Sequence, residues 1–329
     1  MRNAIILAAG KGTRMKSERS KVMHTIIDRP MLSYIVDALR QVHVERIVVV
    51  VGYQAESIQS YYHDVEFALQ EPQLGTGHAV MQCQQLKDAQ GDTVVINGDG
   101  PCIQPETLEQ LFQANEGASL TLLTAMLEDA GAYGRIVHNA EGNVTAIVEA
   151  KDCTPEQLQI REINAGVYCF KNRDLFDNLD QLSTDNAQHE YYLTDMVKIL
   201  AGQGKKVNGM VIENREEVLG INDCAELHRA YRWMCSRINT HWMQEGVQIV
   251  DPQRTVIGKD VKIGHDVIIH PGTQITGESI IADGAEIFPN TVIDQATIGR
   301  NAKIGPMAYV HGTQIDEGET VKAFTERSR

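Results

Sequence analysis

Apolar and polar positions follow two different rhythms along this 329-residue chain. Up to about residue 220, the apolar runs NAIILAA (3–9), RIVVVVG (46–52) and DTVVINGDG (92–100) are typical of strands buried on both faces of a sheet. Between them, MLSYIVDALRQVH (31–43) places apolar residues at helical spacing. This alternation predicts an α/β domain with a doubly wound sheet over residues 1–222, with ligands at the carboxyl ends of its strands.

A second rhythm, with a period of six, begins after Gly246. Isoleucine or valine returns every sixth residue, and the series slips by one residue twice. A strict six-residue period predicts a short left-handed parallel β-helix of hexapeptide repeats over 247–329, with room for roughly four triangular coils. The repeating positions are Ile257, Ile263, Ile269, Ile275, Ile281, Ile287, Ile293, Ile298, Ile304, Val310, Ile315 and Val321.

A long helical pattern separates the two rhythms. We predict a connecting helix over 223–246 whose apolar stripe packs on the first domain, and a partner-binding helix is the alternative. The stripe consists of Leu227, Tyr231, Met234, Ile238 and Trp242.

Glycines and cations follow the first predicted strand. Gly10 and Gly12 allow a tight turn that presents backbone N–H groups to phosphate, and Arg14 and Lys21 could supply positive charge. The turn is not a P-loop, because Thr-Arg rather than Lys-Ser or Lys-Thr follows Gly12. It is not a dinucleotide fingerprint either, because Met15 stands where that motif has a third small residue. An ordinary strand–helix turn is the alternative interpretation.

Composition narrows the class of protein. The net charge is −14 at pH 7 and no basic block is present, which argues against a nucleic-acid or anionic-membrane surface. No apolar run approaches the roughly 20 residues that span a bilayer, and the first residues lead straight into a strand. The six cysteines have no CxxC spacing, which indicates neither a disulfide framework nor a zinc site. These features predict a cytoplasmic protein with reduced thiols.

Eight stretches of the α/β part resemble the uridylyltransferase half of the bacterial GlmU family, in the family's order. The QLGTGHA run and the spacing between Arg14 and Lys21 are the most specific points, since hexose-1-phosphate thymidylyltransferases usually place the lysine further on. The resemblance implies a Rossmann-like nucleotidyltransferase that joins UTP to N-acetylglucosamine 1-phosphate. The stretches are GKGTRM (10–15), LQEPQLGTGHA (69–79), GDGPCI (98–103), AYGRIV (132–137), IVEAKD (147–152), EINAGVY (162–168), NAQHEYYLTD (186–195) and VLGIND (218–223).

The resemblance also implies the site residues and the cofactor. Asp99 and Asn222 would bind Mg²⁺, while Arg14 and Lys21 would neutralise the phosphates and act in catalysis. Residues that would bind the nucleotide are Leu7, Ala8, Ala9, Gly10, Gln70, Gln73, Gly75 and Thr76, and those that would bind the sugar are Gly134, Glu149 and Asn164.

Several of these residues have ordinary explanations when the resemblance is set aside. Asn222 stands where it could cap the following helix, and Asp99 could be a turn residue. Glu149 and Asn164 could be surface residues. The residues alone leave these alternatives open.

The chain departs from the family at five positions. Ser20 replaces a proline before the lysine, and Gly100 and Cys102 stand where larger or aliphatic residues are usual, which predicts a looser site. Ser328 and His311 stand where a lysine and an arginine of the acetyl-transfer site are expected, which predicts a natural chain without a complete acetyltransferase site. Two other functions remain alternatives: transfer to a different sugar 1-phosphate, and nucleotide-sugar binding without turnover. Longer family members suggest a homotrimer through the β-helix.

Overall fold

The computed structural model describes residues 1–328, which divide into two compact units. The first unit comprises Met1–His24 and Pro30–Glu226, and the second comprises Thr25–Arg29 and the residues from Leu227 onward. Across the described residues, no helix combines the length and the apolarity that a bilayer crossing requires.

Nine strands form one mixed sheet in the first unit, in the order β11-β7-β10-β6-β1-β4-β5, with β8 paired to both β10 and β9. The short strands β2 and β3, most of whose residues belong to the second unit, form a separate two-stranded sheet. The strands are β1 (Arg2–Leu7), β2 (Thr25–Ile26), β3 (Arg29–Pro30), β4 (Arg46–Val51), β5 (Glu66–Leu69), β6 (Asp92–Asn97), β7 (Leu120–Met126), β8 (Arg135–His138), β9 (Val144–Val148), β10 (Glu162–Lys171) and β11 (Val207–Val211).

The centre of this sheet is parallel, as the apolar runs predict. Strand β1 pairs in parallel with both β4 and β6, and β4 continues to β5. Strand β10, which the sequence did not distinguish, is antiparallel to β6 and β7. Its register shifts between Asn164 and Tyr168, where Gly166 has a φ of 71°. A side chain at Gly166 would overlap the amide of Asn97, so this bulge lets β10 approach the carboxyl end of β6.

Helices cover the sheet, and their apolar spacing explains their packing. In α1, the predicted apolar positions Leu32, Ile35, Val36 and Leu39 are all buried. The helices of the first unit are α1 (Met31–Gln41), α2 (Ala55–Gln59), α3 (Thr76–Met81), α4 (Pro105–Ala114), α5 (Asn172–Phe176) and α6 (Asp195–Gly202).

The long predicted helix is α7 (Cys224–Gln244). Its residues beyond Glu226 belong to the second unit, and Ile238 and Trp242 pack against the core of the β-helix. The prediction that the stripe packs on the first domain is therefore wrong for these two residues. Periodicity identifies the apolar face of a helix but not the surface that covers it.

The second unit confirms the predicted β-helix. Three parallel sheets have the strand orders β12-β15-β18-β21-β24, β13-β16-β19-β22-β25 and β14-β17-β20-β23. These regular short strands are those of a left-handed β-helix. The strands are β12 (Gln248–Ile249), β13 (Val256–Ile257), β14 (Lys262–Ile263), β15 (Ile268–Ile269), β16 (Gln274–Thr276), β17 (Ile280–Ile281), β18 (Glu286–Ile287), β19 (Val292–Asp294), β20 (Thr297–Ile298), β21 (Lys303–Ile304), β22 (Tyr309–His311), β23 (Gln314–Ile315), β24 (Thr320–Val321) and β25 (Glu326–Ser328).

The two slips in the six-residue period fall at one corner of the β-helix. One slip lies between β19 and β20 and the other between β22 and β23, where Gln295 and Gly312 have positive φ angles. Each of these corners turns with one residue fewer, and the inward isoleucines still align in register, as for Ile281 and Ile298. The slips therefore shorten a turn without interrupting the core.

Candidate active site

The turn after β1 is built around Gly12. Its φ is 63°, and a Cβ there would lie 2.6 Å from the Cβ of Lys21. Only glycine therefore lets the turn fold beneath Lys21. Gly10 has no neighbouring atom within 4 Å of an added Cβ, so its role is not steric.

Four predicted site residues meet at the carboxyl end of β6. Lys21 Nζ donates to Asp99 Oδ2 over 2.5 Å and to Asn222 Oδ1 over 2.9 Å. Arg14 Nη2 donates to the same oxygen of Asn222 over 2.7 Å. The network joins the turn after β1, the turn after β6 and the segment before α7.

Asn222 is not the cap of α7. Asp223 Oδ1 accepts the backbone N–H groups of Ala225 and Glu226 at 2.9 and 2.8 Å, which is the bonding of a helix N-cap. The backbone N–H of Asn222 donates to Glu226 Oε2 over 2.6 Å. Because its neighbour caps the helix, the Asn222 side chain is available to face Lys21 and Arg14.

The glycine-turn cavity, of about 380 Å³, lies beside this network. Gln70 is buried, and its Nε2 donates to the carbonyl of Gly75 over 2.9 Å and lies 3.3 Å from His78 Nδ1. Gln73 Nε2 donates to the carbonyl of Ala9 over 2.5 Å. Predicted residues that line this cavity are Leu7, Ala8, Ala9, Gly10, Lys21, Gln70, Gln73, Gly75, Thr76 and Asp99.

Gly75 and Gly77 are required by a close contact within the fold that could not be seen in the sequence. A Cβ at Gly75 would lie 2.6 Å from the carbonyl oxygen of Tyr191, and the Gly77 N–H donates to that oxygen over 2.7 Å. Thr76 Oγ1 accepts the backbone N–H of Leu193 over 3.0 Å. The close approach at these glycines is thus to another segment of the chain.

The β10 cavity, of about 270 Å³, adjoins the glycine-turn cavity. The two share Leu7, Thr76, Asn97 and Asp99 as lining residues. Predicted residues on its wall are Leu7, Thr76, Asp99, Gly134, Glu149, Asn164 and Asn222. Arg14 lines neither cavity and reaches this region through its bond to Asn222.

Glu149 and Asn164 are held inside the β10 cavity by neighbouring side chains. Thr194 Oγ1 donates to Glu149 Oε1 over 3.1 Å, and Asn164 Nδ2 donates to the Tyr168 hydroxyl over 2.7 Å. Burial raises the pKa of the Glu149 carboxyl, and the nearby carboxylates of Asp152 and Asp195 raise this pKa further. The alternative that Glu149 and Asn164 are exposed surface residues does not hold, because both are half-buried.

Sequence reasoning did not assign roles to Asn97, Tyr168 or Thr194, although Tyr168 and Thr194 lie within two of the stretches that resemble the family. Asn97 lines both cavities, while Tyr168 and Thr194 orient two predicted residues. For Asn97, the available signal was its position at the end of an apolar strand, two residues before Asp99.

The positions that depart from the family fit the fold without disturbing Asp99. Ser20 is fully buried with a φ of −52°, within the range that proline adopts, and its hydroxyl has no partner among residues 1–328. A Cβ at Gly100 would have its nearest contact at 3.9 Å, so the site has room for a larger residue there.

A mixed sheet with a glycine turn after its first strand and a cation–carboxylate network after its fourth parallel strand defines a nucleotidyltransferase. In agreement, the family model described as a MobA-like NTP transferase domain matches residues 4–195, more than half of the chain.

Curated relatives carry the name Bifunctional protein GlmU. The protein of Limosilactobacillus reuteri is 42% identical, with 97% of this chain and 74% of the relative covered. The protein of Exiguobacterium sibiricum is 45% identical, with 93% and 72% covered, and that of Halalkalibacterium halodurans is 41% identical, with 98% and 72% covered. The chain belongs to the GlmU family, which confirms the resemblance found in the sequence.

Proposed function

We propose that the protein transfers the uridylyl group of UTP to N-acetylglucosamine 1-phosphate, giving UDP-N-acetylglucosamine and pyrophosphate. The observation that carries this proposal is the meeting of Arg14, Lys21, Asp99 and Asn222 beside two adjoining cavities. A phosphate oxygen of the sugar phosphate attacks the α-phosphorus of UTP. The bond from that phosphorus to the oxygen bridging the β-phosphate breaks, and this oxygen leaves with pyrophosphate.

The nucleophile is already ionised near neutral pH, so the reaction needs no general base. Its main obstacle is the repulsion between two polyanions, which positioned cations reduce. Lys21 is largely buried, and a cation there interacts more strongly with phosphate than one in open water would. We assign Lys21 and Arg14 to the phosphates on this basis.

The residues present suit a magnesium ion. A carboxylate oxygen of Asp99 and the amide oxygen of Asn222 both contact one cationic nitrogen, the ammonium of Lys21, and so face a common point. Among residues 1–328, no group of three His, Cys, Asp or Glu side chains could hold a metal ion. Two protein oxygens completed by phosphate and water are the usual set for Mg²⁺. Bound there, Mg²⁺ would stabilise the charge that develops on the phosphates.

The contacts of Gln70 support uracil as the base. Its amide nitrogen is directed at Gly75 and His78, which leaves the amide oxygen to accept a hydrogen bond. The imide N–H of uracil is a suitable donor, whereas the equivalent nitrogen of cytosine is an acceptor. UTP is therefore expected to be preferred over CTP.

The β10 cavity supports a sugar with hydroxyl and acetamide groups. One oxygen of Glu149 accepts from Thr194, and the second remains to accept a sugar hydroxyl. Asn164 Nδ2 uses one of its two hydrogens on Tyr168, so the other can donate to an acetamide carbonyl.

We also propose that the β-helix of this chain lacks a complete acetyltransferase site. His311 and Ser328, which replace the expected arginine and lysine, are neighbours in register on β22 and β25. His311 Nδ1 lies 2.9 Å from Asp294 Oδ2, so a carboxylate stands beside this position. We expect no transfer from acetyl-CoA to glucosamine 1-phosphate in a thiol-release assay, and measurable turnover would contradict this.

Met307 and Phe324 support a trimer through the β-helix. They occupy equivalent corners of successive coils, and their side chains are 53% and 77% exposed. Exposed apolar side chains on a regular surface favour contact between copies. Light scattering coupled to gel filtration would measure the mass, and a monomer at micromolar concentration would overturn the trimer.

The proposed reaction is tested with a panel of nucleoside triphosphates and sugar 1-phosphates, with pyrophosphate release as the readout. UTP with N-acetylglucosamine 1-phosphate should give the highest kcat/KM. A preference for dTTP with glucose 1-phosphate would favour the different-sugar alternative, and no turnover with any pair would favour the binding protein.

Asp99→Ala should lower kcat at least ~100-fold, because charge stabilisation by a bound metal contributes several kcal/mol. Asp88→Ala, which removes an exposed carboxylate from the same unit, is the matched control and should keep wild-type activity. Equal rates for both variants would show that Asp99 does not take part in the reaction.

A further inference from the structure

The amide oxygen of Asn222 has both of its lone pairs in use. It accepts from Lys21 Nζ over 2.9 Å and from Arg14 Nη2 over 2.7 Å. An amide oxygen offers two acceptor sites, so a third partner requires that one of these donors leaves. A metal ion on this oxygen must therefore displace Lys21 or Arg14.

Lys21 is the donor whose position conflicts with a metal ion. Its ammonium nitrogen lies 2.5 Å from Asp99 Oδ2 as well as 2.9 Å from the Asn222 oxygen. Asp99 and Asn222 would hold a magnesium ion through the same two oxygens that now contact the Lys21 ammonium. A second cation at these oxygens would be repelled by the ammonium and would compete with it for their lone pairs. Arg14 donates to Asn222 and not to Asp99 among the described contacts, so it can remain in place.

We propose that Lys21 is an internal cation that occupies the metal position, and that a divalent ion enters only as Lys21 moves away to a phosphate group. This inference rests on the proposed metal site at Asp99 and Asn222. The lysine neutralises Asp99 in one arrangement and the nucleotide phosphates in the other. Metal and triphosphate therefore bind cooperatively, because the phosphate stabilises the displaced lysine and the displaced lysine frees the metal ligands.

This exchange explains why one lysine can serve two purposes in the site. The half-buried carboxylate of Asp99, next to an amide oxygen, is costly to leave without a cation. Lys21 pairs with this carboxylate until the metal binds together with the phosphates. The lysine ammonium then contacts the triphosphate instead. Metal without nucleotide should consequently bind weakly.

The test measures binding of Mn²⁺, a magnesium substitute, by electron paramagnetic resonance, with and without a non-hydrolysable UTP analogue. Lys21→Met removes the competing ammonium and keeps a side chain of similar length. We expect this variant to bind Mn²⁺ alone at least ~5-fold more tightly than wild type, within the usual range of coupling between sites. The gain in Mn²⁺ affinity on adding the nucleotide should be correspondingly smaller in the variant.

Lys11→Met is the matched control for charge. It removes one cation from the same turn, and the Lys11 ammonium lies over the ring of Tyr53 rather than at Asp99. We expect it to change Mn²⁺ affinity less than ~2-fold, and circular dichroism would verify that both variants fold.

Three outcomes would overturn the exchange. In the first, Lys21→Met leaves Mn²⁺ affinity unchanged while wild type binds the Mn²⁺–nucleotide complex. In the second, Lys11→Met tightens Mn²⁺ binding as much as Lys21→Met does. In a third case, Arg14→Met and not Lys21→Met tightens binding. These results leave the proposed reaction intact. Failure of wild type to bind Mn²⁺ even with nucleotide would instead remove the metal site, and the proposed function with it.

Discussion

In the β-helix, each inward side chain meets its counterpart one coil further along the chain, whereas the active-site network of the first unit joins residues up to 208 positions apart. Ile281 and Ile298 are in register because every coil repeats the same short unit. Lys21 and Asn222 meet because the sheet brings two distant loops to one edge.

The difference shows how each region determines its contacts. In a repeat, each coil contacts the next coil in sequence, so the local spacing of apolar residues is sufficient to align the core. The site depends on strand order, and strand order is settled by packing of the whole sheet. We therefore expect substitutions in the β-helix to act on stability and those in the turns to act mainly on activity.

The largest expected effect concerns the core of the β-helix. Ile281→Ala should lower the free energy of unfolding by about 2–5 kcal/mol, because Ile281 is almost fully buried and its loss leaves a cavity. Its neighbour Ile280, on the same strand, is 42% exposed, and Ile280→Ala should change stability by no more than ~0.5 kcal/mol. Urea titrations followed by circular dichroism would measure both. Equal losses would contradict the assignment of faces.

The next largest effect concerns Gly12, where the steric contact with Lys21 can be distinguished from backbone strain. Gly12→Ala should reduce kcat about 100-fold, because the added methyl group displaces Lys21, and an error of about 1 Å at a catalytic group has this size of effect. Gly142 also has a positive φ, 82°, but no atom lies within 4 Å of its added Cβ. Gly142→Ala should therefore share the strain and keep the activity. Similar kinetics for both variants would refute the steric explanation.

The smallest effect concerns the buried carboxyl of Glu149. Burial raises the pKa of Glu149 above the ordinary value of 4.5, because the charged carboxylate is costly in the folded protein. The free energy of unfolding therefore falls as the pH rises through that raised pKa and the carboxyl ionises. Between pH 4 and pH 7, the Tm of Glu149→Gln should therefore rise relative to the Tm of wild type. The difference in Tm should be smallest at low pH. Its kcat/KM for the sugar phosphate should fall about 10-fold, as expected for loss of a charged acceptor. A pH-independent difference in Tm would show that burial of the charge does not limit stability.

Much of the architecture was predictable because it follows from local patterns. The apolar runs of β1 and β4 required burial on both faces, and the spacing of Leu32, Ile35 and Leu39 required a helix with one apolar face. The antiparallel placement of β10 was not predictable, since it depends on a bulge at Gly166 fitted to the side chain of Asn97.

The site residues were named from family motifs, and the structure adds their contacts. From residue types alone, a helix cap was the favoured role for Asn222. The hydrogen bonds that Asp223 accepts from the first turn of α7 exclude that role. Asn97 was missed, and Thr194 was named only as part of a motif, because their importance comes from what lies beside them in the fold.

By itself, the sequence determined the six-residue repeat, the inward positions of the β-helix and the glycine turn that follows the first strand. These features depend on backbone preferences and on side chains a few residues apart. Both are properties of the local sequence. Tertiary structure alone decided that the ammonium of Lys21 rests between Asp99 and Asn222. That contact joins three loops, and its geometry exists only once the sheet has set the order of its strands.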